Sequence, residues 1–359
     1  MTISEVRTRR LTAPLHSPFR TALRETTSME TLLVEVTDSD GGHGFGEAPQ
    51  VWRVTGESMA SAEAAIDEQL RPMLVGRDPG ELAALLAQVR DAVPGNHNAK
   101  AAVDVALHDL AARRLGIPLV RLLGGTALRV PTDVTLAAGS AGELATAARA
   151  RTGEGFSVLK LKVGTGQDAT ADVKRVRAVR DAVGPAVKLR LDANQSWPAK
   201  SAVRAIRAME DAGLDVELIE QPVPAHDLDG LAWVTDRVDT PVLADEAVFS
   251  VRHLLEVIRR RAADLVNVNL AKCGGLAPAR TLLELATAAG IGTMVGSMME
   301  GPVGVAAAAS LVAAYGTTVT SDLDAAWWLA GSPVTGAVRY ADGAVLLPDS
   351  PGLGVELPA

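Results

Sequence analysis

The chain has 359 residues, of which 48% are hydrophobic and 22% charged, a globular balance with ample core for one large or two ordinary domains. A net charge of −8 argues against nonspecific nucleic-acid binding. The single cysteine, Cys273, excludes an intramolecular disulfide framework and suits a reducing cytoplasm.

The opening segment carries Arg7, Arg9 and Arg10 with no apolar core behind them, so no signal peptide is expected. Glu30–Val36 reads as a strand, Asp38–Gly42 as a turn and Gly44–Ala48 as the returning chain. Helical stretches follow at Ser58–Leu70, Glu81–Val89 and Asn98–Leu115. The last carries Val103, Ala106, Leu107 and Leu110 at helical spacing. Residues 1–125 are therefore expected to form a separate α+β unit.

From about Val130 short strand-like runs alternate with longer helical ones. A first run covers Thr132 to Ala137, and polar strand tips recur at 162, 192, 220, 245, 269, 297 and 322. Spacings of roughly 24–30 residues each hold a strand, a helix and two loops. Eight such units make a (β/α)8 barrel, whose active sites lie at the carboxyl ends of the strands. A doubly wound open sheet is the rival, but it would offer one crevice at a switch point, and no Gly-rich phosphate loop follows the first strand. The barrel is expected over 126–325. Residues 326–359, with Val345-Leu-Leu-Pro348 and Pro351–Glu356, leave the repeat and are expected to return to the N-terminal unit. The apolar run from Val303 to Ala314 is too short to span a bilayer and reads as a buried helix.

The strand ends carry the chemistry. In Ser157–Val163, alternation puts Lys160 and Lys162 on one face and Leu159, Leu161 and Val163 on the other. Three apolar runs then end in acid, at Asp192, Glu220 and Asp245, and a fourth ends in the amide Asn269. Neighbouring strands lie about 4.8 Å apart, so three such carboxylates converge. Their repulsion is relieved by a hard divalent cation, and an all-oxygen donor set suits Mg²⁺. A helix-capping role would account for one of these acids more readily than for all three. A cation and burial both lower the pKa of a lysine toward that of a general base. A metal beside a lysine base suits removal of a proton α to a carboxylate, with the cation holding the charge that develops on oxygen.

The segments Lys160-Leu-Lys162, Asp192–Trp197, Ile219-Glu-Gln-Pro222, Asp245-Glu246 and Lys272-Cys-Gly-Gly275 resemble the muconate-lactonising branch of the enolase superfamily. Within it, Pro18–Arg24, Gly44–Pro49, Gly296–Glu300 and Asp322-Leu-Asp324 are most similar to the L-Ala-D/L-Glu dipeptide epimerases. The resemblance implies a modified barrel under an N-terminal α+β capping domain completed by the C-terminal segment. It implies that Asp192, Glu220 and Asp245 bind Mg²⁺, that Lys162 is an acid/base and that Lys160 supports the enolate. It further implies that Asp322 and Asp324 hold a substrate α-ammonium, that Arg24 holds a distal carboxylate, and that Thr135, Ser297, Met298 and Met299 line the pocket. A small-molecule substrate, no nucleic-acid or membrane partner, and a homo-oligomer complete the expectation.

One position departs from the family pattern. Family epimerases carry a second lysine at the end of the sixth strand, where Asn269 stands here. An amide cannot exchange protons as a lysine does, and inversion by two bases needs a donor on each face of the enolate. Three outcomes stay open at this point. Lys272, three residues on, reaches inward; another group donates; or the chemistry is one-sided, such as elimination or cyclisation. A catalytically silent metal-binding barrel is the remaining alternative. The six histidines all precede the sixth strand tip and offer no late-strand base. Cys273 reads as a buried small residue, and Trp327-Trp328 either walls the pocket or packs in the core.

Overall fold

A computed structural model of the chain describes residues 1–21, 25–164, 169–336 and 338–357. The chain opens with three antiparallel strands, β1 (Ile3–Arg20), β2 (Glu25–Asp38) and β3 (His43–Pro49), in the order β1-β2-β3. The turn between β2 and β3 is built by Asp38, whose Oδ1 accepts the amides of Asp40 at 3.0 Å and Gly42 at 2.8 Å. The helix His97–Leu115 lies on this sheet, and Val103, Ala106, Leu107 and Leu110 meet Leu32, Val34 and Val36 in one core. Contact is close because β3 presents glycines. A Cβ on Gly44 would stand 2.3 Å from Ala106 O, and one on Gly46 would stand 1.8 Å from Ala102 O. The expected helix from Ser58 starts with a capping box between Ser58 and Ser61, then runs through a π-helical turn at Ile66–Leu70.

β4 (Arg129–Pro131) stands aside from the main sheet. That sheet consists of β5 (Val134–Leu136), β6 (Val158–Lys162), β7 (Lys188–Asp192), β8 (Val216–Glu220), β9 (Val242–Ala244), β10 (Leu265–Asn269) and β11 (Gly292–Gly296). They are parallel and hydrogen-bonded in chain order, with helices between them, as a barrel requires. Alternation along the strands sorts the side chains. Leu159, Leu161 and Val163 join the outer core shared with Val176 and Val179 of the helix Ala169–Val183. Leu218, Leu243, Leu265 and Met294 form a separate cluster. These four precede Glu220, Asp245, Asn267 and Gly296 by two residues, so they occupy the barrel interior one layer below the polar tips.

The eighth strand expected near Asp322 is reduced to single bridges, from Ser321 to Thr132 and from Asp322 to Gly296. Side chains replace the missing ladder. Thr132 Oγ1 donates to its neighbour's carbonyl and accepts Leu323 N at 2.8 Å, and Arg190 takes the carbonyl of Thr320 at 2.5 Å. At this seam Asp133 N donates to Ser321 O on one side, and on the other Asp322 N donates to Val295 O and Ser297 N to Asp322 O.

The C-terminal residues form β12 (Arg339–Ala341) and β13 (Ala344–Leu346), which pair with β4 in the order β12-β13-β4. The segment meets the N-terminal unit on either side of this hairpin. Leu329 bridges Leu15 of β1, while Leu353 N donates to Asp109 and Arg113 donates to Glu356 at 3.0 Å. The apolar run near Val303 lies in the buried helix Pro302–Tyr315, and no helix among the described residues is long and apolar enough to cross a membrane.

The glycine contact yields a first test. Gly46→Ala forces backbone against backbone, where no side chain can yield, and overpacking of this kind costs about 1–3 kcal/mol or more. Urea unfolding of this variant is expected to show that loss, whereas Gly56→Ala, at an open turn, is expected to show a smaller loss from its positive φ of 73° alone.

Candidate active site

The carboxyl ends of the strands converge on one cavity. From the barrel it is lined by Lys160, Lys162, Asp192, Glu220, Asp245 and Asn269, among others, and from the N-terminal unit by Phe19, Thr21, Val51, Arg53 and Val54. Thr135, Ser297, Met298, Met299, Asp322 and Asp324 also line it. The structure thus brings together every sequence-selected residue except two. Arg24 lies outside the described residues. Lys272 is fully buried and does not line the cavity.

Register explains the convergence. Lys162 pairs with Asp192 across β6 and β7, and Asp192 pairs with Glu220 across β7 and β8. Asp245 follows β9 directly, and its amide is held by Gln221 Oε1 at 2.9 Å. Each acid faces an ammonium group. Lys162 Nζ is 2.5 Å from Asp192 Oδ2, Lys160 Nζ is 3.5 Å from Glu220 Oε2, and Lys272 is ion-paired to Asp245. Lys160 also forms an ion pair with Asp322. Deeper in the barrel Arg190 is ion-paired to Asp133 at 3.0 Å and to Glu217 at 2.5 Å, with no exposure of its own side chain.

Burial and mutual charge shift these groups. Burial raises Glu220 to about 7; Lys160 opposes that shift, and the neighbouring Asp192 and Asp245 reinforce it. Burial also raises Glu246 well above the carboxylate range, with Asp245 and Asp192 adding to the effect. Lys160 is held between several carboxylates. Burial acts to lower its pKa, but the carboxylates of Asp322, Glu220 and Asp133 outweigh it, and its pKa lies well above the usual lysine value. Burial works to raise Asp322, yet Lys160 holds it below its ordinary value. Asp324 is raised by burial and by Asp322, and it is fixed by Thr135 N at 2.7 Å and Trp328 Nε1 at 3.1 Å.

β6 and β10 stand four places apart in a ring of eight, so Lys162 and Asn269 occupy opposite walls. Asn269 turns its Oδ1 to Ala271 N at 3.1 Å and caps the short helix Leu270–Cys273. Lys272, on that helix, spends its protons on the Asp245 carboxylate, Asp245 O at 2.6 Å and Asn267 O at 3.0 Å. It ties the end of β9 to β10 and does not supply an amine opposite Lys162. Cys273 is buried, as expected, and burial raises its thiol to about 12. Trp328 both lines the cavity and packs on Phe19, in a T-shaped contact of 5.0 Å.

The donor set suits a hard dication. Among the described residues no three acids stand ready to share one ion as they are, because each carboxylate is turned to a lysine. Yet the acids are oxygen donors on successive strands, close enough for Asp192 and Asp245 both to act on Glu220. Around them Asn194 Oδ1, Glu246 Oε2 and Asn267 Oδ1 are buried without hydrogen-bond partners, and all three residues line the cavity. Unsatisfied buried oxygens are rare, and this many in one cavity fits a site that takes a cation and its water.

Sequence reasoning missed several of these residues. Asn267 shares a strand face with Asn269 and was legible from alternation alone; its Nδ2 holds Glu220 Oε1 at 2.8 Å. Asn194, two residues past Asp192, donates its amide to that acid at 2.8 Å. Arg53 and Phe19 come from the N-terminal unit; Phe19 falls within the Pro18–Arg24 segment, whereas no local pattern marks Arg53.

Residues 3–124 match the model of the mandelate racemase/muconate lactonizing enzyme N-terminal domain, and residues 143–359 match the enolase C-terminal domain-like model. The L-Ala-D/L-Glu epimerase of Bacillus subtilis is 44% identical over 355 residues, covering 99% of this chain and 97% of that protein. A solved structure of a substrate-liganded complex of the Bacillus subtilis enzyme superposes with a TM-score of 0.96 at 43% identity, covering 100% of both chains. The dipeptide epimerase of Enterococcus faecalis, complexed with Mg and L-Leu-L-Tyr, superposes at 0.94 with 37% identity over 99% of this chain and 100% of that one. With its two halves matching successive domain models and its tips carrying the acid–lysine set, the chain belongs to the mandelate racemase/muconate lactonizing enzyme family of enolase-type barrels.

Proposed function

We propose that this chain is a Mg²⁺-dependent dipeptide epimerase acting at the α-carbon of the C-terminal residue of Ala-Glu-like substrates. The observation that carries the reading is one cavity holding Lys162, the Asp322/Asp324 pair and three carboxylates on consecutive strand ends. The names of the relatives, L-Ala-D/L-Glu epimerase and dipeptide epimerase, support the substrate class.

In this reading Asp192, Glu220 and Asp245 hold Mg²⁺. The bound cation would neutralise charge gathering on the substrate carboxylate as the α-proton leaves. Lys162 Nζ takes or delivers the proton on its own face of the enolate, and for inversion the proton on the opposite face, at the Asn269 wall, passes to or from another donor such as solvent water. Lys160, held between Glu220 and Asp322, remains a fixed cation beside the carboxylate. Asp322 and Asp324 take the substrate ammonium, an assignment supported by the two donors that orient Asp324. Met298 and Met299 supply apolar wall, and Ser297, whose Oγ donates to Asp322 O at 3.0 Å, steadies the anion pair. Residues 1–125 close the cavity over the barrel of 126–325, and residues 326–359 tie the two units together. The same reading carries a cytoplasmic homo-oligomer, a state that light scattering of the purified protein checks.

Asn269 favours a second reading. With an amide on the wall opposite Lys162, and with Lys272 bound beneath Asp245, one-sided chemistry by Lys162 gains support: exchange with retention, elimination or cyclisation. Incubating L-Ala-L-Glu and L-Ala-D-Glu separately in D₂O with Mg²⁺ separates the two. Deuterium uptake with inversion is the expected outcome. Retention or elimination replaces the epimerase reading with the one-sided one, and no exchange with Mg²⁺ still bound leaves a silent barrel.

Two variants probe the assigned roles. Lys162→Ala is expected to slow α-proton exchange by about 10²–10⁴-fold, with Mg²⁺ affinity retained by calorimetry. Glu220→Gln is expected to weaken Mg²⁺ by at least about tenfold, and chelation of the unmodified enzyme to abolish exchange reversibly.

A further inference from the structure

The segment that carries Asp322 and Asp324 has no strand ladder to fix it, since single bridges reach Ser321 and Asp322 and stop there. The backbone of Leu323, between the two acids, is held instead by side chains from two distant parts of the chain. Its amide donates to Thr132 Oγ1 at 2.8 Å, and its carbonyl accepts Tyr340 Oη at 2.6 Å. Tyr340 is itself well anchored. It pairs with Val345 of β13, which pairs with Val130 of β4, and both valines are buried. A three-stranded sheet thus reaches through one phenol to the peptide that links the two acids. Burial and Asp324 push that phenol well above the usual tyrosine value, and the amides of Trp327 and Ala326 only partly offset them. The hydroxyl therefore keeps its proton and stays a donor.

We propose that Tyr340 is a positioning residue that sets the spacing of the Asp322 and Asp324 carboxylates, and through it the affinity for the substrate ammonium. This rests on the dipeptide reading above and deepens it, by naming what holds the anion pair in place. Tyr340 does not line the cavity, so its effect passes through the acids. Each acid is anchored on its own side. The Asp322 carbonyl takes Ser297 N at 2.9 Å and Ser297 Oγ at 3.0 Å, while the Asp324 carboxylate takes Thr135 N and Trp328 Nε1. One ammonium must reach both carboxylates at hydrogen-bond distance, so the peptide between them decides whether it can. Tyr340 holds the carbonyl of that peptide, and without the hydroxyl the peptide plane is free to turn and carry one acid away from the other.

The test compares L-Ala-L-Glu with N-propionyl-L-Glu, the same molecule without its ammonium. Tyr340→Phe keeps the ring and removes only the hydroxyl. Its KM for α-proton exchange of L-Ala-L-Glu in D₂O with Mg²⁺ is expected to rise about tenfold, with kcat changed by less than about twofold. The constant for inhibition of that exchange by N-propionyl-L-Glu, and the Mg²⁺ affinity by calorimetry, are expected to stay unchanged. Thr132→Val, which removes the acceptor on the other side of Leu323, should raise KM in the same sense, and Thr132→Ser, which keeps a hydroxyl, should not. A merely loosened fold would weaken both ligands alike. An equal loss of both ligands, or an unchanged KM in either Tyr340→Phe or Thr132→Val, overturns the assignment while exchange itself persists. Absence of exchange on L-Ala-L-Glu in the unmodified protein instead overturns the dipeptide reading, and the role of Tyr340 with it.

Discussion

The molecule depends on the pairing of buried acids with buried amines at the carboxyl ends of its strands. Lys162 meets Asp192, Lys160 meets Glu220 and Asp322, and Lys272 meets Asp245. None of these charges could stand alone in the barrel mouth, because an uncompensated buried charge destabilises by about 3–5 kcal/mol. Each half of the set therefore requires the other. Register makes the set possible: Lys162, Asp192 and Glu220 are successive partners across three strands, so their side chains share one face without any loop rearrangement. Below them the apolar layer of Leu218, Leu243, Leu265 and Met294 excludes water from beneath. The site is thus built on strands rather than loops, which suits chemistry that needs a base held against one carbon atom.

The N-terminal unit is fastened to this barrel by carboxylates at helix starts. Glu47 of β3 accepts Gly304 N at 3.0 Å at the head of the helix Pro302–Tyr315. Asp104 accepts Leu276 N at 2.7 Å at the head of the helix Leu276–Ala288. Both acids satisfy orphan amides and face the positive end of a helix dipole. The first lies just beyond Ser297–Met299 and the second just beyond Lys272, so the docking contacts also steady two segments of the cavity wall. The residues reaching in from the N-terminal side, Phe19, Val51 and Arg53, are positioned by that docking.

Much of this was legible before any coordinates. Period-two alternation in Val158–Lys162 put both lysines on the inner face, and acidic tips at regular spacing gave the barrel and its active end. Glu246 falls within the Asp245-Glu246 motif, yet its unpartnered Oε2 emerges only when Asn194 and Asp245 stand beside it. The eighth strand failed as a strand because Thr132, Thr293 and Arg190 take over its hydrogen bonding through side chains. No propensity argument counts such bonds. Sequence shows that Lys160 is near acids but not that Asp322, Glu220 and Asp133 together outweigh its burial and raise its pKa. Lys272 lay three residues from the strand tip, and only the helical turn after Asn269 shows that it points beneath Asp245. Arg53 was invisible for the simplest reason: its place in the cavity is a product of docking between two units far apart in the chain.

A crystal structure with Mg²⁺ and a dipeptide addresses the central claim most directly. The account predicts a single cation held by Asp192, Glu220 and Asp245, with Lys162 Nζ against the α-carbon of the C-terminal residue and Asn269 on the opposite wall. A cation bound elsewhere, or an α-carbon out of reach of Lys162, would contradict it.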